Sequence, residues 1–302
     1  MIAAPLDDTT IRLPSGRNVA FTTWGEPAGG VVLYLHGTGH SRLFCPDPEE
    51  TARAGVHLVA VDRPGYGRSD PHRSHTLADV ARDLVALADH LGIEHFSVIG
   101  WSGGAWYAAA LAAVAGARVV GAAIVAGGAG PYGEVPGLEA TLRPDQREIL
   151  ACVRREGGLA ATEAALALPS IQAEARGPQA LAELVPGLPP GDRWLLADDA
   201  RRASFDAAAR EAYRQGAEGV VSDRIARFLP WGFRIEDLAM EVNLFLAAED
   251  AVFPPSRADD WIHRLPRARV ICWPDAGHLG LAKHWGEVLA SIHPERCSPR
   301  TR

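Results

Sequence analysis

A serine at position 102 lies within the short sequence GWSGG at 100–104, which matches the pattern G-x-S-x-G. An apolar run at 96–99 precedes it and an alanine-rich stretch follows, so this region predicts a buried strand, a sharp turn and a helix. A serine on so tight a turn takes a strained backbone conformation, and the two outer glycines leave room for the chain to pass. The hydroxyl then projects from the turn as a nucleophile. We predict that Ser102 is this nucleophile; in a chain with 31 glycines, an ordinary Gly-Ser turn is the alternative.

A serine hydroxyl is a weak nucleophile until a base accepts its proton and a carboxylate orients that base. Asp250 follows a predicted strand at 242–247, and His278 follows the next one, at 269–273. Functional groups gather beyond the C-terminal ends of parallel strands, so we predict that Asp250 and His278 complete a triad with the serine. Two alternatives stay open: His278 as a surface histidine, and Glu249 as the acid with Asp250 as a helix N-cap.

Attack on a carbonyl also needs hydrogen-bond donors for the developing oxyanion. The serine turn offers the backbone N–H of Gly103. The loop after a predicted strand at 31–35 offers a second donor, for which the N–H of Thr38 is our prediction. Gly37 permits the bend of that loop whether or not the loop binds an oxyanion.

Two histidine pairs and one glycine-rich loop could suggest other chemistry. His36 and His40 are spaced i, i+4, and His72 and His75 are also close, but neither pair is predicted on a helix with a third ligand nearby. The loop DRPGYGRS at 62–69 lacks the spacing and the lysine of a phosphate-binding loop, so we interpret it as structural support for the site. We therefore predict no metal and no cofactor.

Composition excludes several classes of protein. A chain of 302 residues with 47% hydrophobic content is long enough for a large core, and its net charge of −7 argues against a nucleic-acid partner. The basic residues at 296–302 are interpreted as a frayed tail. The four cysteines are widely spaced without a C-x-x-C pair, and the N-terminus does not resemble a signal peptide, so we expect reduced thiols in a cytoplasmic protein.

The stretch 103–131 has the length of a membrane span and contains a single charged residue, Arg118. That arginine falls in the middle, the stretch begins at the serine turn, and its second half is strand-like. We therefore interpret it as a buried helix followed by a buried strand, and expect no membrane partner.

Strand and helix patterns alternate along most of the chain, which predicts a parallel α/β sheet with helices on both faces. Predicted strands are 9–13, 18–24, 31–35, 56–61, 96–99, 118–125, 242–247 and 269–273, the first two as a hairpin. Predicted helices are 48–54, 76–91, the stretch after the serine turn, 143–156, 159–166, 181–184, 194–214, 219–228, 255–265 and 280–292.

The segment 131–234 shows helical patterns and no convincing strand. Because its helices have apolar faces, we interpret it as an inserted helical cap on a core formed by 1–130 and 235–302. An apolar substrate pocket is predicted between the two. Candidate lining residues are His36 and Trp101 near the serine turn and Trp194, Phe205 and Trp231 of the cap; packing is the alternative role for Trp101.

Four motifs occur in the order His36-Gly37, D-x-P-G-x-G-x-S at 62–69, G-x-S-x-G at 100–104, and Asp250 with Gly277-His278. Together they resemble the α/β-hydrolase superfamily. The resemblance implies a mostly parallel eight-stranded sheet flanked by helices, with the helical cap inserted after the strand that ends near Val125. Serine in place of aspartate argues against the epoxide-hydrolase and haloalkane-dehalogenase branches. The oxyanion loop reads HGTGH at 36–40, where many relatives resemble His-Gly-x-Pro-Gly.

We therefore expect a serine hydrolase that cleaves a carboxylic ester, lactone or thioester of a small apolar substrate through an acyl-enzyme. A carbon–carbon bond hydrolase, a small-peptide aminopeptidase and a biosynthetic acyl transferase or cyclase use the same triad and stay open. So does a ligand-binding protein on the same fold. The sequence leaves the oligomeric state, monomer or homodimer, undecided.

Overall fold

The computed structural model describes residues 5–132, 137–176 and 187–292. Its strands are β1 (Asp7–Arg12), β2 (Asn18–Gly25), β3 (Gly30–Leu35), β4 (Val56–Val61), β5 (Phe96–Trp101), β6 (Val119–Val125), β7 (Val242–Ala247) and β8 (Ala268–Trp273). They form one eight-stranded sheet in the order β1-β2-β4-β3-β5-β6-β7-β8. The pairs β1–β2 and β2–β4 are antiparallel, and all other pairs are parallel.

The α-helices are α1 (Pro48–Arg53), α2 (Leu77–His90), α3 (Ala105–Ala115), α4 (Pro144–Glu156), α5 (Gly158–Leu166), α6 (Pro169–Arg176), α7 (Asp199–Ala212), α8 (Glu218–Ala226), α9 (Asp259–Arg264), α10 (Gly280–Lys283) and α11 (Trp285–Ser291). Helix α2 is capped by Thr76, the first residue of the predicted helix 76–91, whose hydroxyl accepts a hydrogen bond from the Asp79 N–H.

Apolar side chains of the central strands point alternately to the two faces of the sheet. Val98 packs in a core that includes α2 and α3, whereas its neighbour Ile99 packs in a second core with α11. Every residue of β5 and β7 is buried, which is expected for strands covered on both faces. The predicted α/β architecture is therefore confirmed.

The stretch 103–131 forms α3 and β6, as predicted. Alanine-rich α3 is buried along most of its length because it packs against both β5 and β6. Within the described ranges, none of the helices combines the length and the apolar character that a membrane span requires.

Most predicted elements have the expected type, with four differences in the helices. The prediction of one helix over 194–214 was wrong, because two elements share this range. A 3-10 helix (Pro190–Ala197) ends at Ala197, and Asp198 then caps the start of α7 by accepting a hydrogen bond from the Arg201 N–H. The predicted helix 255–265 likewise divides into a 3-10 turn and α9, and the predicted helix 280–292 divides into α10 and α11 at His284. Helix α6 was not predicted.

Three predictions lie outside the described residues: the helix at 181–184, the tail at 296–302, and the state of Cys297. The other three cysteines, Cys45, Cys152 and Cys272, form no disulfide.

Helices α4 to α8 lie between β6 and β7 and have a small core of their own, which includes Ile149, Ala161 and Val221. This helical segment lies close to the loop after β4, because a Cβ on Gly65 would lie 2.8 Å from the Cα of Gly219. The backbones of the loop after β4 and of α8 therefore touch at a pair of glycines.

Candidate active site

Ser102 follows β5 directly and has a left-handed backbone conformation, with φ of +50°. The chain can turn so sharply only because its neighbours are glycines. A Cβ on Gly104 would lie 2.0 Å from the carbonyl oxygen of Leu35, and one on Gly100 would lie 2.4 Å from that of Gly104. The predicted turn is therefore present, and it places the hydroxyl beyond the C-terminal edge of the sheet.

Three side chains that are far apart in the sequence meet at this edge. The Nε2 atom of His278 lies 2.9 Å from Ser102 Oγ, and its Nδ1 atom lies 2.8 Å from Asp250 Oδ2. The Asp250 side chain has no exposed surface. Such a chain of hydroxyl, imidazole and carboxylate is able to transfer the serine proton to the ring and to stabilise the imidazolium that results.

Asp250 also holds its own loop in place. Its second carboxylate oxygen, Oδ1, accepts hydrogen bonds from the N–H groups of Val252 at 2.8 Å and Phe253 at 2.6 Å. Glu249, the alternative acid, instead accepts a hydrogen bond from the Gly191 N–H at 3.2 Å. The geometry therefore places Asp250, and not Glu249, against His278.

Asp192 was missed by the sequence analysis. Its two oxygens accept hydrogen bonds from the N–H groups on either side of His278, that of Gly277 at 2.9 Å and that of Leu279 at 3.1 Å. Burial raises the pKa of this carboxyl group, although the two N–H groups oppose the shift. No motif surrounds Asp192, and these contacts join residues 85 and 87 positions apart, so no local pattern in the sequence pointed to them.

Thr38 and Gly103, the two predicted oxyanion donors, lie side by side. A Cβ on Gly103 would lie 2.9 Å from the Thr38 nitrogen and 2.0 Å from its hydroxyl oxygen, so only glycine allows this approach. The Thr38 hydroxyl donates a hydrogen bond to Asp223 of α8 at 3.0 Å. The loop at 36–40 is thus fixed by a side chain of the helical segment.

The loop at 62–69 supports this arrangement, in line with its predicted structural role. The Arg63 guanidinium binds Asp223 through Nε at 2.8 Å and Nη2 at 3.0 Å, and the Arg63 backbone N–H donates to His36 Nε2 at 3.3 Å. Burial by itself would raise the pKa of Asp223, but Arg63 holds it well below its ordinary value. Asp223 is therefore an ionised, buried link between Arg63 and Thr38.

Comparison with known proteins gives the family. A family model described as the alpha/beta hydrolase family matches residues 32–291. The chain belongs to the alpha/beta hydrolase family. Solved structures similar to this family member share its fold. A hydrolase from Pseudomonas aeruginosa PA01 is 17% identical and aligns with a TM-score of 0.67 over 95% of this chain and 98% of its own. A thermophilic esterase from Thermogutta terrifontis is 21% identical and aligns with a TM-score of 0.66 over 95% and 96%.

Curated relatives match only part of this alpha/beta hydrolase. A probable proline iminopeptidase of Streptomyces coelicolor is 33% identical over 109 residues, which are 33% of this chain and 34% of that protein. A putative proline iminopeptidase of Mycoplasma pneumoniae is 29% identical over 108 residues, which are 35% of each. The chain thus aligns with about a third of the length of these relatives.

A cavity with two lobes opens at Ser102 of this alpha/beta hydrolase. The larger lobe has a volume of about 640 Å³ and the smaller one about 220 Å³; Ser102, His278 and Thr38 line both. Two predicted pocket residues, Trp101 and Phe205, line the larger lobe, as does Tyr213. The helical segment therefore contributes side chains to the cavity.

Three predicted pocket residues do not line either lobe. His36 is fully buried beneath the site, because its ring contacts Tyr66 and accepts the Arg63 N–H. Trp194 packs under the guanidinium of Arg201, 4.4 Å from its ring centre. Trp231 is buried in the core. Their aromatic or polar character resembled that of pocket residues, but packing determined where they lie.

The prediction of an apolar pocket was also wrong for the smaller lobe, whose lining includes charged residues on several elements. Arg143, Arg224, Arg227 and Arg257 face it together with Trp106, Tyr132, Gln146, Val252 and Phe253. The sequence analysis had no means of bringing these arginines together, since Arg143, Arg257 and the pair Arg224 and Arg227 at the end of α8 come from three separate parts of the chain.

His40 lines the larger lobe among aromatic rings. Its ring centre lies 4.1 Å from that of Phe205 and 5.4 Å from that of Trp101. Burial, with a smaller effect of His278, lowers the pKa of His40 to about 3, so the ring is neutral at pH 7. Neither ring nitrogen has a hydrogen-bond partner within the described part of the chain.

Proposed function

We propose that this protein is a serine hydrolase that cleaves a carboxylic ester or thioester through an acyl-enzyme. The observation that carries the proposal is the hydrogen-bonded chain from Ser102 through His278 to Asp250 at the junction of the two cavity lobes. Membership of the alpha/beta hydrolase family supports hydrolysis as the reaction.

In the proposed mechanism, Ser102 Oγ attacks the substrate carbonyl while His278 Nε2 accepts its proton. Asp250 keeps the ring in the tautomer with hydrogen on Nδ1 and stabilises the imidazolium. The backbone N–H groups of Thr38 and Gly103 bind the oxyanion. His278 then returns the proton to the leaving group, and a water molecule, deprotonated by the same nitrogen, hydrolyses the acyl-enzyme.

We also propose that residues 131–234 act as a cap on the core formed by 1–130 and 235–302. The position of α4 to α8 between β6 and β7 supports this division. Phe205, Tyr213 and Arg224 of this segment line the cavity, so the cap would select the substrate.

A second candidate is a small-peptide aminopeptidase. The names of the curated relatives, proline iminopeptidases, favour it. An aminopeptidase must bind the ammonium group of its substrate, and the arginines of the smaller lobe would repel that charge. For this reason an ester or thioester is the first choice.

Labelling with a fluorophosphonate probe tests the nucleophile. We expect the wild type and the exposed control Ser15→Ala to be labelled, and Ser102→Ala to remain unlabelled. Equal labelling of Ser102→Ala would exclude Ser102 as the nucleophile, and an unreactive wild type would favour a ligand-binding protein. Parallel assays with p-nitrophenyl butyrate and proline p-nitroanilide separate the esterase from the aminopeptidase, because only the preferred class is turned over efficiently.

A further inference from the structure

The smaller lobe of the cavity contains an excess of positive charge next to Ser102. Among the residues that the structure describes, no acidic side chain is part of its lining, whereas four arginines are. Two of these are neutralised by acids of the helical segment: Arg224 binds Glu174 at 2.9 Å and 3.0 Å, and Arg143 binds Asp145 at 3.0 Å and 3.1 Å.

The other two, Arg227 and Arg257, form no ion pair with any residue of the described ranges. Arg257 donates a hydrogen bond to the Thr141 carbonyl, and its guanidinium lies 5.9 Å from the ring centre of Phe253. A carbonyl and an aromatic ring satisfy part of its hydrogen bonding but do not cancel its charge.

Arg227 is the more unusual of the two because it is 7% exposed. Its guanidinium lies 4.9 Å from the ring centre of Trp106, and its buried Nε has no hydrogen-bond partner among the described residues. The acid that acts on it most strongly is Asp223, but both oxygens of that carboxylate are already bound by Arg63. A buried guanidinium without a partner is costly, and arginines are rarely buried unless an anion pairs with them.

We infer that the smaller lobe binds a carboxylate group of the substrate, with Arg227 as its main ligand and Arg257 as a second one. This inference rests on the proposed function and names its substrate class. The planar guanidinium matches the two oxygens of a carboxylate. Trp106, Val252 and Phe253 line the same lobe and would contact a short carbon chain between the carboxylate and the scissile carbonyl.

Matched chromogenic esters test the inference. If the carboxylate belongs to the acyl part, the mono-p-nitrophenyl ester of glutaric acid is preferred over p-nitrophenyl valerate. If it belongs to the leaving group, the butyrate ester of 3-hydroxy-4-nitrobenzoic acid is preferred over o-nitrophenyl butyrate. We expect a preference in kcat/KM of about 10- to 100-fold in one of the two pairs, the range that a charged hydrogen-bonded contact supplies.

Variants of the arginines show which side chain causes the preference for the charged ester. Arg227→Met should reduce the ratio of charged to neutral ester to near one, and Arg227→Lys should retain part of it. Arg257→Gln, which changes a less buried residue, should reduce the ratio to a smaller extent. The control Arg210→Met removes an exposed charge of α7 outside the cavity lining and should leave the ratio unchanged.

Binding of glutarate provides a readout that does not need turnover. Calorimetry should detect binding to Ser102→Ala and a loss of at least tenfold in affinity in the Ser102→Ala, Arg227→Met double variant. Equal rates for charged and neutral esters together with no glutarate binding would overturn the inference. Hydrolysis of the neutral esters and fluorophosphonate labelling measure the proposed function independently. That result would therefore not contradict the proposed esterase activity.

Discussion

The hydroxyl of Thr38 and the carboxylate of Asp223 are joined by a hydrogen bond of 3.0 Å, although 185 positions separate them in the sequence. Thr38 follows a core strand, and Asp223 belongs to a helix of the segment inserted between β6 and β7. The same carboxylate binds Arg63. The position of the Thr38 N–H, a proposed oxyanion donor, therefore depends on contacts between the sheet and the helical segment.

Replacement of Asp223 by alanine should destabilise the protein by about 3–5 kcal/mol, because the fully buried Arg63 would lose its counter-ion. Activity should fall as well, because the Thr38 loop would lose its anchor. Urea denaturation followed by circular dichroism measures the first effect. The control is Asp89→Ala, whose exposed ion pair with Arg118 is worth at most about 1 kcal/mol. Similar losses of stability in Asp223→Ala and Asp89→Ala would contradict the role of Asp223 as the counter-ion of Arg63.

Replacement of Asp192 by alanine should lower kcat at least tenfold, because the N–H groups on both sides of His278 would lose their acceptor and the ring would be held less well. Asp192→Asn keeps an oxygen acceptor and should recover part of the loss. Steady-state kinetics with p-nitrophenyl butyrate is the measurement. Asp275→Ala, an exposed change in the same loop, serves as the control and should stay near the wild-type rate. Wild-type kcat in Asp192→Ala would show that the loop holds His278 without this carboxylate.

Ser102→Gly should be more stable than Ser102→Ala by about 1 kcal/mol, because glycine adopts the φ of +50° without the steric cost that a Cβ brings. Both variants lose the hydroxyl, so the comparison isolates the backbone strain from the loss of the side chain. Thermal denaturation of the two variants measures this difference in stability. A glycine variant no more stable than the alanine variant would show that the turn stores no such strain.

Stability should decrease as the pH falls from 6.5 towards 3, in part because of His40. The pKa of His40 is lowered to about 3 in the folded protein, so between these values only the unfolded chain binds the proton. The free energy of unfolding should fall by about 1.4 kcal/mol per pH unit for this group, until the folded state is protonated as well.

The variant His40→Phe tests this, since phenylalanine fits among the rings of Phe44, Trp101 and Phe205. Urea denaturation at pH 7, 6 and 5 should show a shallower loss of stability in this variant than in the wild type. The control His95→Gln changes an exposed histidine and should keep the wild-type slope. Parallel slopes for His40→Phe and the wild type would assign the acid sensitivity to other groups.

Local sequence patterns predicted most of the sheet. The run 242–247 became β7 with the predicted limits, and 56–61 became β4, because continuous apolar strands must be buried on both faces. The start of α2 was also predicted well, because Thr76 and Asp79, three positions apart, form a capping box there. Predictions of helix ends in the inserted segment were poorer, since Asp198 divides a pattern that looked continuous.

The sequence by itself determined the serine turn, the order of the strands along the chain and the candidate residues Asp250 and His278, because each depends on neighbouring residues or on the ends of strands. Only the tertiary structure decided which acid faces His278 and that Asp192 holds its loop. It also decided that Arg227 lines a lobe beside Ser102 without an ion-pair partner in the described part of the chain. These contacts join side chains from different elements, and their distances follow from how the helices pack on the sheet. Periodicity and motif spacing describe one stretch of chain at a time, so they contain no information on such packing.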